Sequence, residues 1–144
     1  MGEVHVEISL RNGADIIRAG DGLITEQNIR SATVTAVVDT GAMSLVIGDE
    51  LRNKLGLAVV ESRTVSLAGG SKAYCKVAEP VQICWKNRIS VIRPWVLPDE
   101  KEVLLGVIPL EEMDVMVDPV NNTLVGIHGD EIIGRLKQIH NIKL

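Results

Sequence analysis

With 144 residues and 46% hydrophobic content, the chain is about one domain long and carries enough apolar side chain for a core without disulfide or metal staples. Its formal charge of −4 comes from Lys, Arg, Asp and Glu mixed along the whole length. No basic stripe is left for a phosphate backbone, and no run reaches the ~18 apolar residues of a membrane span, so neither nucleic acid nor membrane is an expected partner. Cys75 and Cys84 lack Cys-x-x-Cys spacing, and Met1-Gly2-Glu3-Val4-His5 has neither basic nor apolar leader character. A soluble, cytoplasmic protein with reduced thiols is expected. Val, Ile and Leu dominate the apolar set while Phe is absent, a balance that favours strands.

Val4, Val6, Ile8 and Leu10 alternate with polar residues, the period of a half-buried strand, and Asn12-Gly13 signals a tight turn. Residues 15–28 have mixed polarity around Asp21-Gly22 and read as a hairpin or loop excursion, with Ile16-Ile17 and Leu23-Ile24 as short edge strands. Ala32 to Val38 is a nearly continuous apolar strand. The segment from Gly48 to Gly56 has acidic residues at its start, Leu51 and Leu55 four apart and a terminal glycine, the pattern of a short helix. Arg63 to Leu67 and Lys72 to Val77 flank Ala68-Gly69-Gly70-Ser71 as a hairpin with a flexible tip. Val81 to Trp85 and Ile89 to Val96 are strands joined at Lys86-Asn87, with Pro94 disturbing the end of the second. Val103-Leu104-Leu105-Gly106 is a short buried strand, and Pro109 to Met113 a brief helix with proline in its first turn. Val115 to Val117 and Leu124 to Ile127 flank an Asp118-Pro119 turn. In the tail, Ile132, Ile133, Leu136 and Ile139 follow Asp130-Glu131 at helical spacing and predict a terminal helix.

The chemistry-bearing feature is Asp39-Thr40-Gly41, which places a carboxylate at the end of a buried strand and just before another apolar run, Ala42 to Ile47. Alone, the tripeptide is expected by chance in roughly one chain in thirty of this length. Its context is what discriminates: a buried strand before it, a Gly-Gly hairpin after it, then a Leu-Leu-Gly strand end.

From about Ala32 to Gly126 this order resembles the retropepsin-like aspartic proteases, single-domain dimeric relatives of pepsin, and their soluble prokaryotic members more than the viral polyprotein enzymes. The resemblance implies an all-β fold, a closed barrel or sandwich with a flap hairpin and short helices. It divides a single 1–144 domain into a variable 1–31 region, a 32–127 core and a 128–144 tail. It also implies that Asp39 is catalytic, that the Thr40 hydroxyl fixes two such loops across a dimer axis, and that Gly41 allows the bend. Ala68, Gly69, Gly70 and Ser71 are the implied flap, and Ala42, Ile47, Val107 and Ile108 the implied substrate walls.

Because the chain has one Asp-Thr-Gly, the second carboxylate must come from a second copy, so a homodimer acting on peptide or unfolded protein is expected. Two carboxylates around one water cannot both ionise cheaply and share one proton. Ala42 lacks the hydroxyl a serine would offer that pair, so the expected working range is less acidic than pepsin's.

Other readings of the same residues stay open. Asp39 is also compatible with a structural turn aspartate in an inactive, peptide-binding or assembly module of the same fold. Gly69-Gly70 suits an ordinary hairpin turn. Ile47, Ala68, Val107 and Ile108 suit a core, and Trp85 and Trp95 are read as core or interface residues. Asp118 lacks the threonine and glycine of the first loop and is rejected as a second catalytic acid. His5, His128 and His140 have no ligand spacing, so no metal and no cofactor is expected. Ser44 and Ser71 lack a Gly-x-Ser-x-Gly elbow.

Overall fold

The computed structural model describes residues 2–136. Strand β1 (His5–Asn12) buries alternate side chains, Val6, Ile8 and Leu10 among them, and runs antiparallel to β2 (Ser31–Val38) with His5 opposite Val37 and Leu10 opposite Ala32. The long connection between them is not the expected hairpin with edge strands. Gly13–Gly20 form helix α1, and Glu26–Asn28 a single 3-10 turn. Asn12, read as part of a tight turn, is instead the helix cap: its Oδ1 accepts from the Asp15 amide at 3.0 Å, and its Nδ2 donates to the Leu55 carbonyl at 2.8 Å. Inside the helix's first turn Asp15 is buried and takes three hydrogen bonds from Arg30, one from its amide and two from its guanidinium. That pair clamps the start of β2. Arg30 holds the Asp15 carboxyl down at about 2, against the opposing cost of burial.

Beyond β2 come β3 (Leu45–Ile47), helix α2 (Asp49–Leu55), and the long hairpin β4 (Val59–Ser66) with β5 (Lys72–Ala78). Helix α2 ends as the sequence predicts, on Gly56 in the left-handed conformation at φ 67°. Strands β6 (Val81–Trp85) and β7 (Arg88–Ile92) pair across the Lys86-Asn87 turn. The strand expected over Ile89 to Val96 is broken at Arg93-Pro94. Its second part, β8 (Trp95–Val96), leaves β7 and pairs with β3 and β5 instead. Strand β9 (Val103–Leu105), helix α3 (Val107–Glu112) and the ribbon β10 (Val115–Asp118) with β11 (Thr123–Gly126) complete the order.

Nine strands form one curled sheet in the order β4-β5-β8-β3-β9-β2-β1-β6-β7, an all-β architecture with β10-β11 as a separate pair. Its core gathers Ile8, Leu10, Leu45, Ile47, Leu55, Ile83, Leu105 and Met113. Burial of such side chains, at about 25 cal/mol per Å² of apolar surface, is the main stabilising term.

Arg88 is buried and has no carboxylate partner among the described residues: Nε donates to Asn87 Oδ1 at 3.2 Å, Nη1 to the Met113 and Asp114 carbonyls at 2.7 and 2.9 Å, and Nη2 to that of Gly129. Asp114 itself accepts from the Ile133 amide at 3.0 Å and lies 2.6 Å from His128 Nδ1, contacts that lower its pKa. Residues 128–133 are therefore tied to the body by hydrogen bonds. Residues 132–136 have no helix, contrary to the periodic reading of the tail, and residues 137–144 of that expected helix lie outside the described residues.

Candidate active site

Parallel pairing sets Val38 of β2 beside Leu105 of β9, and antiparallel pairing sets Leu45 of β3 beside the same Leu105 from the other side. Residues 39–44 must therefore cross over the end of β9. Backbone bonds fix the crossing: the Asp39 amide donates to Leu105 (3.0 Å), the Gly106 amide to Ser44 (2.9 Å), the Val107 amide to Ala42 (2.8 Å) and the Ile108 amide to Met43 (2.9 Å). The tight crossing explains the glycine of Leu-Leu-Gly. A Cβ on Gly106 would lie 2.3 Å from the Ser44 carbonyl oxygen and 2.5 Å from that of Ala42, both backbone atoms that have no rotamer to escape into.

Within this loop Asp39 is half-buried. Its Oδ1 accepts from the Gly41 amide at 2.9 Å, and the Ala42 amide closes the turn on the Asp39 carbonyl at 3.1 Å. Among the described residues Oδ2 has no hydrogen-bond partner, which leaves one oxygen for a water or a substrate. A turn aspartate that merely satisfied its own loop would look like Asp118. There Oδ1 accepts from the Val120 and Asn121 amides and Oδ2 from Asn121 Nδ2 at 2.8 Å.

The carboxylate opens into a cleft of about 670 Å³ between the loop and the inner side of the β4-β5 hairpin. Asp39, Gly41 and Ala42 form one wall, Thr64 to Ala68 the facing one, and Val46, Trp95, Leu97 and Leu104 an apolar floor. At the hairpin tip Gly69 (φ 90°) and Gly70 (φ 89°) take backbone conformations that other residues rarely adopt, and the Leu67 amide donates to Ser71 at 2.7 Å across the turn. No atom lies within 4 Å of where a Cβ on either glycine would sit, so the tip projects freely.

Of the residues singled out from sequence, Asp39, Gly41, Ala42 and Ala68 line this cleft. Thr40, Gly69, Gly70 and Ser71 are exposed around it. Ile47 is fully buried in the core and is not a cleft wall; strand alternation turns Val46 there instead. Val107 and Ile108 stand behind the loop, bonded to its backbone, and do not line the cleft. The floor residues Trp95 and Leu97 carried no local signal, because the parallel β3-β8 pairing that brings them under Asp39 joins segments about fifty residues apart. Among the described residues no group of three His, Cys, Asp or Glu side chains is placed to hold a metal.

The aspartyl protease family matches the chain over residues 25–107, which spans β2, the Asp39 loop, the hairpin and β9. No curated protein sequence matches it. Among solved structures, the retroviral protease-like domain of Ddi1 from Leishmania major is similar, with a TM-score of 0.54 at 16% identity, covering 92% of this chain and 91% of that one. A retropepsin-like aspartic protease from Rickettsia conorii aligns at 23% identity with a TM-score of 0.43, over 82% of this chain and 94% of that one.

Proposed function

Because the chain belongs to the aspartyl protease family, we propose that it is an aspartic endopeptidase whose active unit is a homodimer, each copy supplying one Asp39. The observation that carries this reading is the free carboxylate oxygen of half-buried Asp39 at the wall of a peptide-sized cleft, on a loop held mainly by backbone bonds. Support for pairing comes from the loop's surroundings. Met43 and Ile108 flank it with 54% and 43% of their surface exposed, an apolar rim that a second copy would cover.

In the proposed reaction an extended peptide lies between the flap and the floor, bonded to the β4-β5 hairpin by strand addition. One Asp39 is ionised and takes a proton from the shared water as the water oxygen bonds to the scissile carbonyl carbon. The protonated Asp39 of the other copy gives its proton to the carbonyl oxygen, so a neutral gem-diol forms and the two carboxyl groups exchange protonation states. The tetrahedral diol then collapses: the C–N bond breaks, the amine leaves with the proton of the protonated carboxyl, one diol hydroxyl gives its proton to the ionised carboxylate, and the second product is a carboxylic acid. Thr40 from each copy would brace the two loops, and the flap would exclude water. The free thiols of Cys75 and Cys84 suit action in a reducing cytoplasm. No helix among the described residues is long and apolar enough to cross a membrane.

Asp39→Asn tests the assignment. The asparagine Oδ1 can keep the Gly41 hydrogen bond, so thermal stability is expected to stay near that of the parent, while hydrolysis of a denatured protein falls by at least about a hundredfold. Equal cleavage by the two proteins would place the activity elsewhere.

A further inference from the structure

Only two of the residues lining the cleft are charged, Asp39 and Arg63. Arg63 lies opposite Cys75 in the β4-β5 register, and Cys75 is buried, so Arg63 stands on the hairpin face that looks into the cleft. Its side chain is 52% exposed and makes one ion pair, Nε to Glu61 Oε1 at 2.6 Å. Both terminal nitrogens have no hydrogen-bond partner among the described residues. Glu61 thus holds the Nε edge of the guanidinium fork and leaves the terminal nitrogens unpaired at a cleft whose lining also includes Val65, Trp95 and Leu97. A planar group with four unused N–H donors, beside an apolar floor that weakens competition from water, is matched by a carboxylate.

We infer that Arg63 makes this cleft selective for peptides with an acidic side chain several residues from the bond that is cut. The inference rests on the proteolytic reading of Asp39. Arg63 lies five residues before Ala68, about 17 Å along an extended strand. With the flap tip over the scissile bond, as in the proposed reaction, its partner on a peptide laid along the hairpin sits several residues from that bond. Contact there adds affinity without touching the reacting atoms, so it acts on KM more than on kcat. A guanidinium that only snorkels over Cys75 while paired with Glu61 would show no such preference.

The test compares the parent with Arg63→Gln and Arg63→Glu, first on a proteome-derived peptide library read by mass spectrometry, then on matched peptides differing only by Glu or Gln at each position around one cut site. The parent is expected to favour Glu over Gln about tenfold in kcat/KM at one position, mainly through KM. Arg63→Gln should bring that ratio to near one, and Arg63→Glu should bring it below one. If the parent cuts the neutral peptides but no position favours Glu, or if the ratio is the same in parent and Arg63→Gln, the inference is overturned and the protease reading stands. If the parent cuts neither the library nor a denatured protein, both are overturned.

Discussion

Across the cleft, two segments are held in opposite ways. The Asp39 loop crosses the end of β9 with its amides and carbonyls engaged by Leu105, Gly106, Val107 and Ile108, and Ser44, Leu45 and Val46 behind it are buried. The facing hairpin has nearly every β4 residue exposed and a tip whose two glycines have open space where a Cβ would sit. Under the proposed function the contrast separates two tasks: a carboxylate placed to within a fraction of an ångström needs a backbone with no alternative, whereas a segment that admits a peptide needs low local stability. A glycine is required in both, for unrelated reasons. Gly106 has an ordinary φ of −90° and is required for space, while Gly69 and Gly70 have open space and are required for φ.

Substitution at these glycines breaks the comparison if it is wrong. Gly106→Ala is expected to have the largest effect, about 3 kcal/mol or more of lost stability from the backbone collision, with loss of whatever fold and activity depend on the loop. Denaturant unfolding measures it, and a loss below about 0.5 kcal/mol would show that the crossing is looser than described. Acid sharpens the contrast within the rigid half. Asp15 has its folded pKa lowered from 3.8 to about 2 by Arg30, so its contribution is fully present above its unfolded value and is lost as pH falls from about 4 toward 2. Asp15→Asn should lower Tm at pH 6 and flatten its decline between pH 4 and 2; an unchanged acid limb would show that the Arg30 clamp does not stabilise the fold. Gly70→Ala should have the smallest effect on stability, about 1 kcal/mol from the positive φ, yet should lower kcat/KM by stiffening or misdirecting the flap. Calorimetry and peptide kinetics on the same sample separate the two effects.

What was legible in the sequence follows the same division between local and distant causes. The alternation of Val6, Ile8 and Leu10, the Leu51-Leu55-Gly56 helix end and the Gly69-Gly70 tip are local patterns, and the structure has the elements they predict. Helix α1 was missed because it is one short amphipathic stretch between glycines, with Ile17 largely exposed, and its two-isoleucine run imitates an edge strand. The capping signal was present in Asn12 followed by Asp15, but the next residue, Gly13, made it read as a turn. The break at Pro94 was visible as an irregularity; the departure of Trp95 and Val96 to a different neighbour was not, since only the packed sheet decides which strand accepts them. For the site, the Asp39 loop could be named from three residues, whereas its cleft floor and Arg63's free edge depend on pairings that no local window contains.

The claim that two copies each give one carboxylate is tested most directly by mixing. Parent and Asp39→Asn chains, denatured together in equal amounts and refolded, would form parent, mixed and mutant dimers in a 1:2:1 ratio. With both carboxylates needed for one water, the account predicts that activity falls to about a quarter of that of the same total amount of parent, and that it follows the square of the parent fraction as the ratio is varied. A fall to about a half, linear in the parent fraction, would mean that each chain works with its own Asp39 alone and would contradict the shared site.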